Sequence, residues 1–185
     1  MNVASTSLVK HLDFAWILRF CLFFTGLYYF NIAYIGIVDP RNFYVSFFDV
    51  HLNYISWFSS SIVAVSNFIA QGFGVNAHVT DGYKLMVDEH TSVTLSYTCA
   101  GFGIVSFWLG FINAHGLTVK QRIAWSVAGM FAIWFINCWR VGLLLVALHN
   151  NWQVNSFISH HDLFNLVAYA IICLLIFFFY RKSAC

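Results

Sequence analysis

The chain has 185 residues, 61% of them hydrophobic, only 9% charged, and a formal net charge of +2. A soluble domain carries about 25% charged residues, and a chain this short has too little interior to hide 21 Phe, 7 Trp and 9 Tyr. This composition predicts an integral membrane protein and excludes a nucleic-acid binder, since no basic patch interleaves with aromatics.

A short polar N-terminus with Lys10 precedes an apolar run over 14–38, long enough to span a bilayer. No small-x-small cleavage pattern follows a short apolar core, so the run reads as a retained helix. Asp39-Pro40-Arg41 ends it, because proline cannot continue a helix.

Residues 42–71 read as one amphipathic helix. Asp49, Asn53, Ser56, Ser60, Asn67 and Gln71 fall on one helical stripe, while Tyr54, Trp57, Phe58, Ile62, Val65 and Phe68 fill the other faces. Such a helix lies in the interface or stands in the membrane with its stripe toward a polar interior.

Residues 72–98 read as a strand-rich cap outside the bilayer. Asp81-Gly82 is a hairpin signal between His78-Val79-Thr80 and the run from Tyr83 to Val87. The run from Ser92 to Tyr97 alternates and is β-branched. Open strand edges do not survive in lipid.

Three apolar runs complete the chain: a short one from Cys99 to about Ala114, a long one from Ile123 to about Leu148, and one from Leu163 to Tyr180, followed by Arg181-Lys182. The fold expectation is therefore an all-α membrane bundle. It has about four transmembrane helices, one amphipathic or re-entrant outer segment and the small cap, forming a single domain over 1–185.

Short-loop cations favour the cytoplasm. Lys10, Lys120, Arg122, Arg181 and Lys182 all face inward if Cys99 begins its helix at the outer face. Most acidic residues then lie outside. With the N-terminus inside, residues 42–71 cannot make a complete crossing. Arg140 follows Arg122 by about five helical turns, roughly 27 Å, nearly the hydrocarbon thickness of about 30 Å. Arg140 thus falls at the outer boundary, where Cys99 and His161 open their own runs.

That convergence defines the candidate site. A thiol at a helix N-terminus beside a cation is favoured as thiolate, and the thiolate is a nucleophile. His161 can take its proton and return it to a leaving amine. Arg140 can hold the thiolate, an oxyanion or a substrate carbonyl. Each residue also has an ordinary reading: a packed cysteine, an arginine reaching the headgroups, a histidine capping its helix. Asn137, three residues before Arg140 on the same helix face, orients it or bonds a neighbouring helix. Cys21, Cys138, Cys173 and Cys185 have no C-x-x-C spacing and read as structural. His149, His160 and Asp162 match no closed metal site, so neither metal nor cofactor is expected.

Three motifs suggest a family. The stretch Val93 to Gly103, centred on Cys99-Ala100-Gly101, resembles the Cys-Ser/Ala-Gly signature of exosortases and archaeosortases. Asn137-Cys138-Trp139-Arg140-Val141 resembles their Asn-x-x-Arg segment. His161-Asp162-Leu163-Phe164-Asn165 resembles their His-x-x-x-Gly segment, with Asn165 where glycine is usual. The match runs from Ser92 to Tyr180, and the length resembles that of compact bacterial members.

The resemblance implies a cysteine peptidase or transpeptidase of the cytoplasmic membrane, with its site facing outward. Its partners would be the bilayer and proteins with a C-terminal sorting signal, which is a short motif, one transmembrane helix and a basic tail. Cys99 carries over as nucleophile, His161 as base and acid, and Arg140 as transition-state stabiliser. Thr98, Asn137 and His160 are supporting candidates, and His160 is the alternative base. Competing readings are a small transporter or channel component using Arg140 and Asp49, or a non-catalytic assembly subunit. The oligomeric state is not legible.

Overall fold

The computed structural model describes residues 14–40, 42–80, 82–88, 91–97, 99–150, 152 and 160–183, with the backbone alone at 160–165, 167, 168 and 183. The described chain is mostly helical. Helix α1, Phe14–Val38, has the predicted bounds and stops at Asp39-Pro40. Its surface is lined with exposed apolar side chains, among them Phe14 at 81% and Leu22 at 65%.

The predicted single helix over 42–71 is instead two. Helix α2, Ser46–Leu52, and helix α3, Tyr54–Gly72, are separated at Asn53. The break has a local cause. The Asn53 side chain accepts from the Ser56 amide at 2.9 Å, capping α3, and donates to Asp49 Oδ1 at 2.7 Å. An asparagine that bonds the backbone ahead of it starts a helix more readily than it continues one. Two of the striped residues are therefore consumed by the joint.

The predicted cap is a three-stranded antiparallel sheet in the order β1 (His78–Thr80), β2 (Lys84–Met86), β3 (Ser92–Thr94). Val79 pairs with Leu85 and Leu85 with Val93. Gly82 in the first turn has φ +74°, the left-handed conformation that the turn signal anticipated. The third strand is shorter than its sequence run. Leu95 turns inward into the core, and the chain then bends toward Cys99.

Helix α4, Phe102–Ala114, runs antiparallel to α1. Trp16 meets Phe111 and His115, Phe20 and Phe24 meet Phe107, and Tyr28 reaches Gly103. The two helices come close at Gly110, where an added Cβ would lie 3.0 Å from the Phe24 backbone nitrogen. Helix α5, Val119–His149, opens with a capping box between Thr118 and Gln121. Its 31 residues span about 46 Å, longer than a hydrocarbon layer of about 30 Å. Helix α6, His160–Ser183, returns along it. Phe179 is fully buried against Phe111, His115 and Trp125. We call the end holding the α4–α5 loop and the finish of α6 the tail end. The other is the cap end.

Contacts place α3 beside the cap half of α5. Trp134 Nε1 donates to Ser61 Oγ at 2.9 Å, Ser66 Oγ donates to the Cys138 carbonyl at 2.9 Å, and Ile69 lies against Gly142. One core joins Ile62, Val63 and Ala70 of α3 to Leu85 of the sheet and to Val141 and Leu145 of α5. A second, at the tail end, joins Trp108, Phe111, Ile112, Ile133 and Phe179. Among the described residues two helices, α1 and α5, are long and apolar enough to cross a membrane, and α4 is a shorter apolar helix.

Candidate functional site

The segment before α4 is a tight turn. The Cys99 and Ala100 amides both donate to the Ser96 carbonyl, at 2.9 and 3.1 Å. Cys99 therefore does not begin the helix, as its place at the start of the apolar run led us to expect. Helix α4 starts at Phe102, and its N-cap is Gly101. The reason is backbone conformation. Gly101 has φ +90°, which a side chain would resist. Cys99 sits two residues ahead of the cap, so the helix dipole acts on it from a short remove rather than from within the first turn.

Helix α5 pins this turn. Asn137 Nδ2 donates to the Ala100 carbonyl at 3.4 Å, and Arg140 Nη2 donates to the Cys99 carbonyl at 3.1 Å. The two side chains are three apart and share a helix face. Successive carbonyls of the turn are thus held by successive rungs of one helix. Ala100 and Asn137 are buried, while Cys99 and Arg140 are half-buried. A Cβ on Gly101 would collide with the Asn137 amide. The residue types at 100, 101, 137 and 140 therefore follow from one packing arrangement: a small residue, a glycine, an amide and a guanidinium.

Cys99 and Arg140 line a common cavity of about 690 Å³. Its walls come from α1, through Phe24, Tyr28 and Asn31, and from α6, through Tyr169, Ile172 and Cys173, with Gly103 and Phe107 of α4 below. The structure thus brings together Cys99, Asn137 and Arg140. His161 does lie in the opening turn of α6, as expected. The side chains of His160, His161 and Asp162, and all of Thr98, lie outside the described residues.

Three features escaped the sequence. Cys173, set aside as structural, shares the cavity with Cys99. Asn31 also lines it. Its Nδ2 donates to Ser106 Oγ at 3.1 Å and to the Leu27 carbonyl at 2.9 Å, and its Oδ1 accepts from the Tyr54 hydroxyl at 2.7 Å. A lone amide in an apolar helix was the available signal. His115, which carried no sequence pattern, sits in the tail-end aromatic cluster with its Nδ1 2.7 Å from the Phe111 carbonyl.

In the loop at the cap end, the Tyr44 hydroxyl donates to Asp49 Oδ2 at 3.0 Å, and that carboxylate bond raises the Tyr44 pKa above its ordinary 10. Among the described residues no group of three His, Cys, Asp or Glu side chains is placed to hold a metal ion. No protein-family model, curated protein or solved structure matches the chain.

Proposed function

We propose that the chain is an integral membrane cysteine peptidase or transpeptidase of the exosortase type. In this reading Cys99 cleaves proteins at a C-terminal sorting signal on the outer face of the cytoplasmic membrane. The observation that carries the reading is the pinned turn. Arg140 and Asn137 hold the carbonyls of Cys99 and Ala100, which fixes the backbone of Cys99 at the edge of the cavity that it helps to line. Preorganisation of this kind is what a nucleophile needs and what an inert packed cysteine does not.

The topology that accompanies this reading has four crossings: α1, α4, α5 and α6. The tail end, with Lys120, Arg122, Arg181 and Lys182, faces the cytoplasm. Helix α3 runs beside Trp134 to Gly142 of α5, and its first turn meets Asn31 of α1. In this topology α2 and α3 therefore dip into the outer part of the bilayer and return to the sheet as a re-entrant segment without a complete crossing. The exposed apolar surface of α1 faces lipid.

The chemistry follows from residue types. His161 takes the Cys99 proton, and the thiolate attacks the carbonyl carbon of the scissile peptide bond. The Arg140 guanidinium stabilises the oxyanion. When the C–N bond breaks, the proton held on His161 passes to the departing amine. An acyl thioester on Cys99 remains, and water or an acceptor amine resolves it to release the thiol. Helical phase favours His161 over His160 as the base. Position 161 lies about 20° from cavity-lining position 172 around the α6 axis, and position 160 about 120° away.

The test is co-expression with a neighbouring-gene protein that ends in a motif, a transmembrane helix and a basic tail. Wild-type chain should yield the shortened product. Cys99→Ala should abolish it, and hydroxylamine should trap the acyl group as a hydroxamate. Equal processing by wild type and Cys99→Ala would refute the reading.

A further inference from the structure

The cavity beside Cys99 is not a closed pocket. Helix α1 packs on α4 and helix α6 packs on α5, while among the described residues α1 and α6 have at most marginal contact with each other. Between them is a cleft with Ile32 and Ile35 on one wall, Tyr169 and Ile172 on the other, and Ile104 and Phe107 at its base. Ile32 is 46% exposed and Tyr169 57%, so the cleft opens sideways. At the tail end it is shut. Trp16, Phe111, His115, Phe179 and Tyr180 pack edge to face there and bring α1 and α6 onto the same aromatic cluster. At the other end the cleft runs into Cys99 and Arg140.

We infer that this cleft is the lateral entry and seat for the transmembrane helix of the protein to be cleaved. The inference rests on the reading of Cys99 as a nucleophile that attacks a peptide bond. Continuity with the catalytic turn selects the occupant. Whatever fills the cleft adjoins Cys99, and only a polypeptide delivers a peptide bond there; an acyl chain delivers none. The sideways opening suits a helix, which keeps one face to lipid while the other is held. The α1 wall from Phe24 to Ile35 spans about 16 Å, half of a bilayer core of about 30 Å. Because the aromatic cluster closes the tail end, the docked helix engages only with its half nearest the scissile bond and leans away below.

The experiment uses the full chain as Cys99→Ser in phosphatidylcholine nanodiscs. A photo-crosslinking phenylalanine analogue replaces Tyr169 in the cleft or Tyr29, which is exposed on α1 but outside it. The probe is a biotinylated peptide with a polar N-terminal extension, one Leu/Ala helix of about 20 residues and a dilysine C-terminus. Position 169 should capture on the order of tenfold more peptide than position 29. Capture should map to the N-terminal half of the helix, compete with unlabelled peptide and vanish with Ile32→Trp, which fills the cleft. Equal capture at both positions, capture spread along the whole helix, cross-linking to lipid alone in excess peptide, or cross-linking to a second copy would each overturn the inference. Docking is read without chemistry, so the two claims fail separately. Docking with an unreactive Cys99 in the wild-type chain refutes the reaction and leaves the cleft. A reactive Cys99 without docking refutes the cleft alone.

Discussion

Arg140 Nη2 donates to the main-chain carbonyl of Cys99 at 3.1 Å, joining residues 41 apart in sequence. The bond ties the thiol's own backbone to a fixed charge, and its direction is set by a rigid, planar guanidinium that a flexible lysine ammonium does not reproduce. Arg140→Lys should therefore behave much like Arg140→Ala. A hydrogen bond to a charged group contributes about 1.5–3 kcal/mol, so the alkylation rate of Cys99 by iodoacetamide should fall roughly ten- to hundred-fold in both variants. A full rate in Arg140→Lys would show that charge suffices.

Gly101→Ala should destabilise the fold by more than the about 1–2 kcal/mol of left-handed strain, because the new methyl also meets the Asn137 amide. Asn137→Ala should itself cost about 1–3 kcal/mol, leaving the buried Ala100 carbonyl without its donor. The double variant should cost less than the sum, since removing the amide relieves the collision. Unfolding midpoints of the four proteins in one detergent check this; strict additivity would place the two residues out of contact.

Much of this arrangement was legible in the sequence, and the exceptions have physical causes. The bounds of α1 followed from apolar length and Pro40, and the sheet followed from alternation around Asp81-Gly82. Hydropathy failed where one residue redirects the backbone. Asn53 split the striped helix by capping α3, and Gly101 moved the start of α4 three residues past Cys99. Depth alone set Cys99, Arg140 and His161 in one layer. The structure brings Cys99 and Arg140 together, and the His161 side chain lies outside the described residues. Asn137 stood out in the sequence only as a neighbour of Arg140 on its helix face, and it holds the Ala100 carbonyl. Depth carries no information on azimuth around a helix, which is why Asn31 and Cys173 escaped notice although both face the same cavity.

The two histidines at the start of α6 should differ. His161→Ala should abolish processing and slow Cys99 alkylation at neutral pH, and His160→Ala should leave both within a factor of about three of wild type, the general-base contribution being about 10²–10⁴-fold. The pH dependence of alkylation in the two variants checks the assignment. Loss in His160→Ala with retention in His161→Ala would reverse it.

Leu85 is fully buried at the centre of the sheet, within the core shared with α3 and α5. Leu85→Ala should cost about 2–5 kcal/mol and loosen the sheet from both helices. Limited proteolysis should then cut between 76 and 96 earlier than in wild type, while the aromatic tail-end core stays protected. Unchanged proteolysis would mean that the sheet does not depend on this core.

The most direct measurement uses a membrane-impermeant thiol reagent added from outside to right-side-out vesicles. The chain carries Cys21→Ser, Cys173→Ser and Cys185→Ser, so that Cys99 remains with the buried Cys138. The account predicts rapid modification of Cys99 that slows at least tenfold in Arg140→Ala and in His161→Ala. Modification only after the vesicles are permeabilised, or at a rate indifferent to both substitutions, would contradict it.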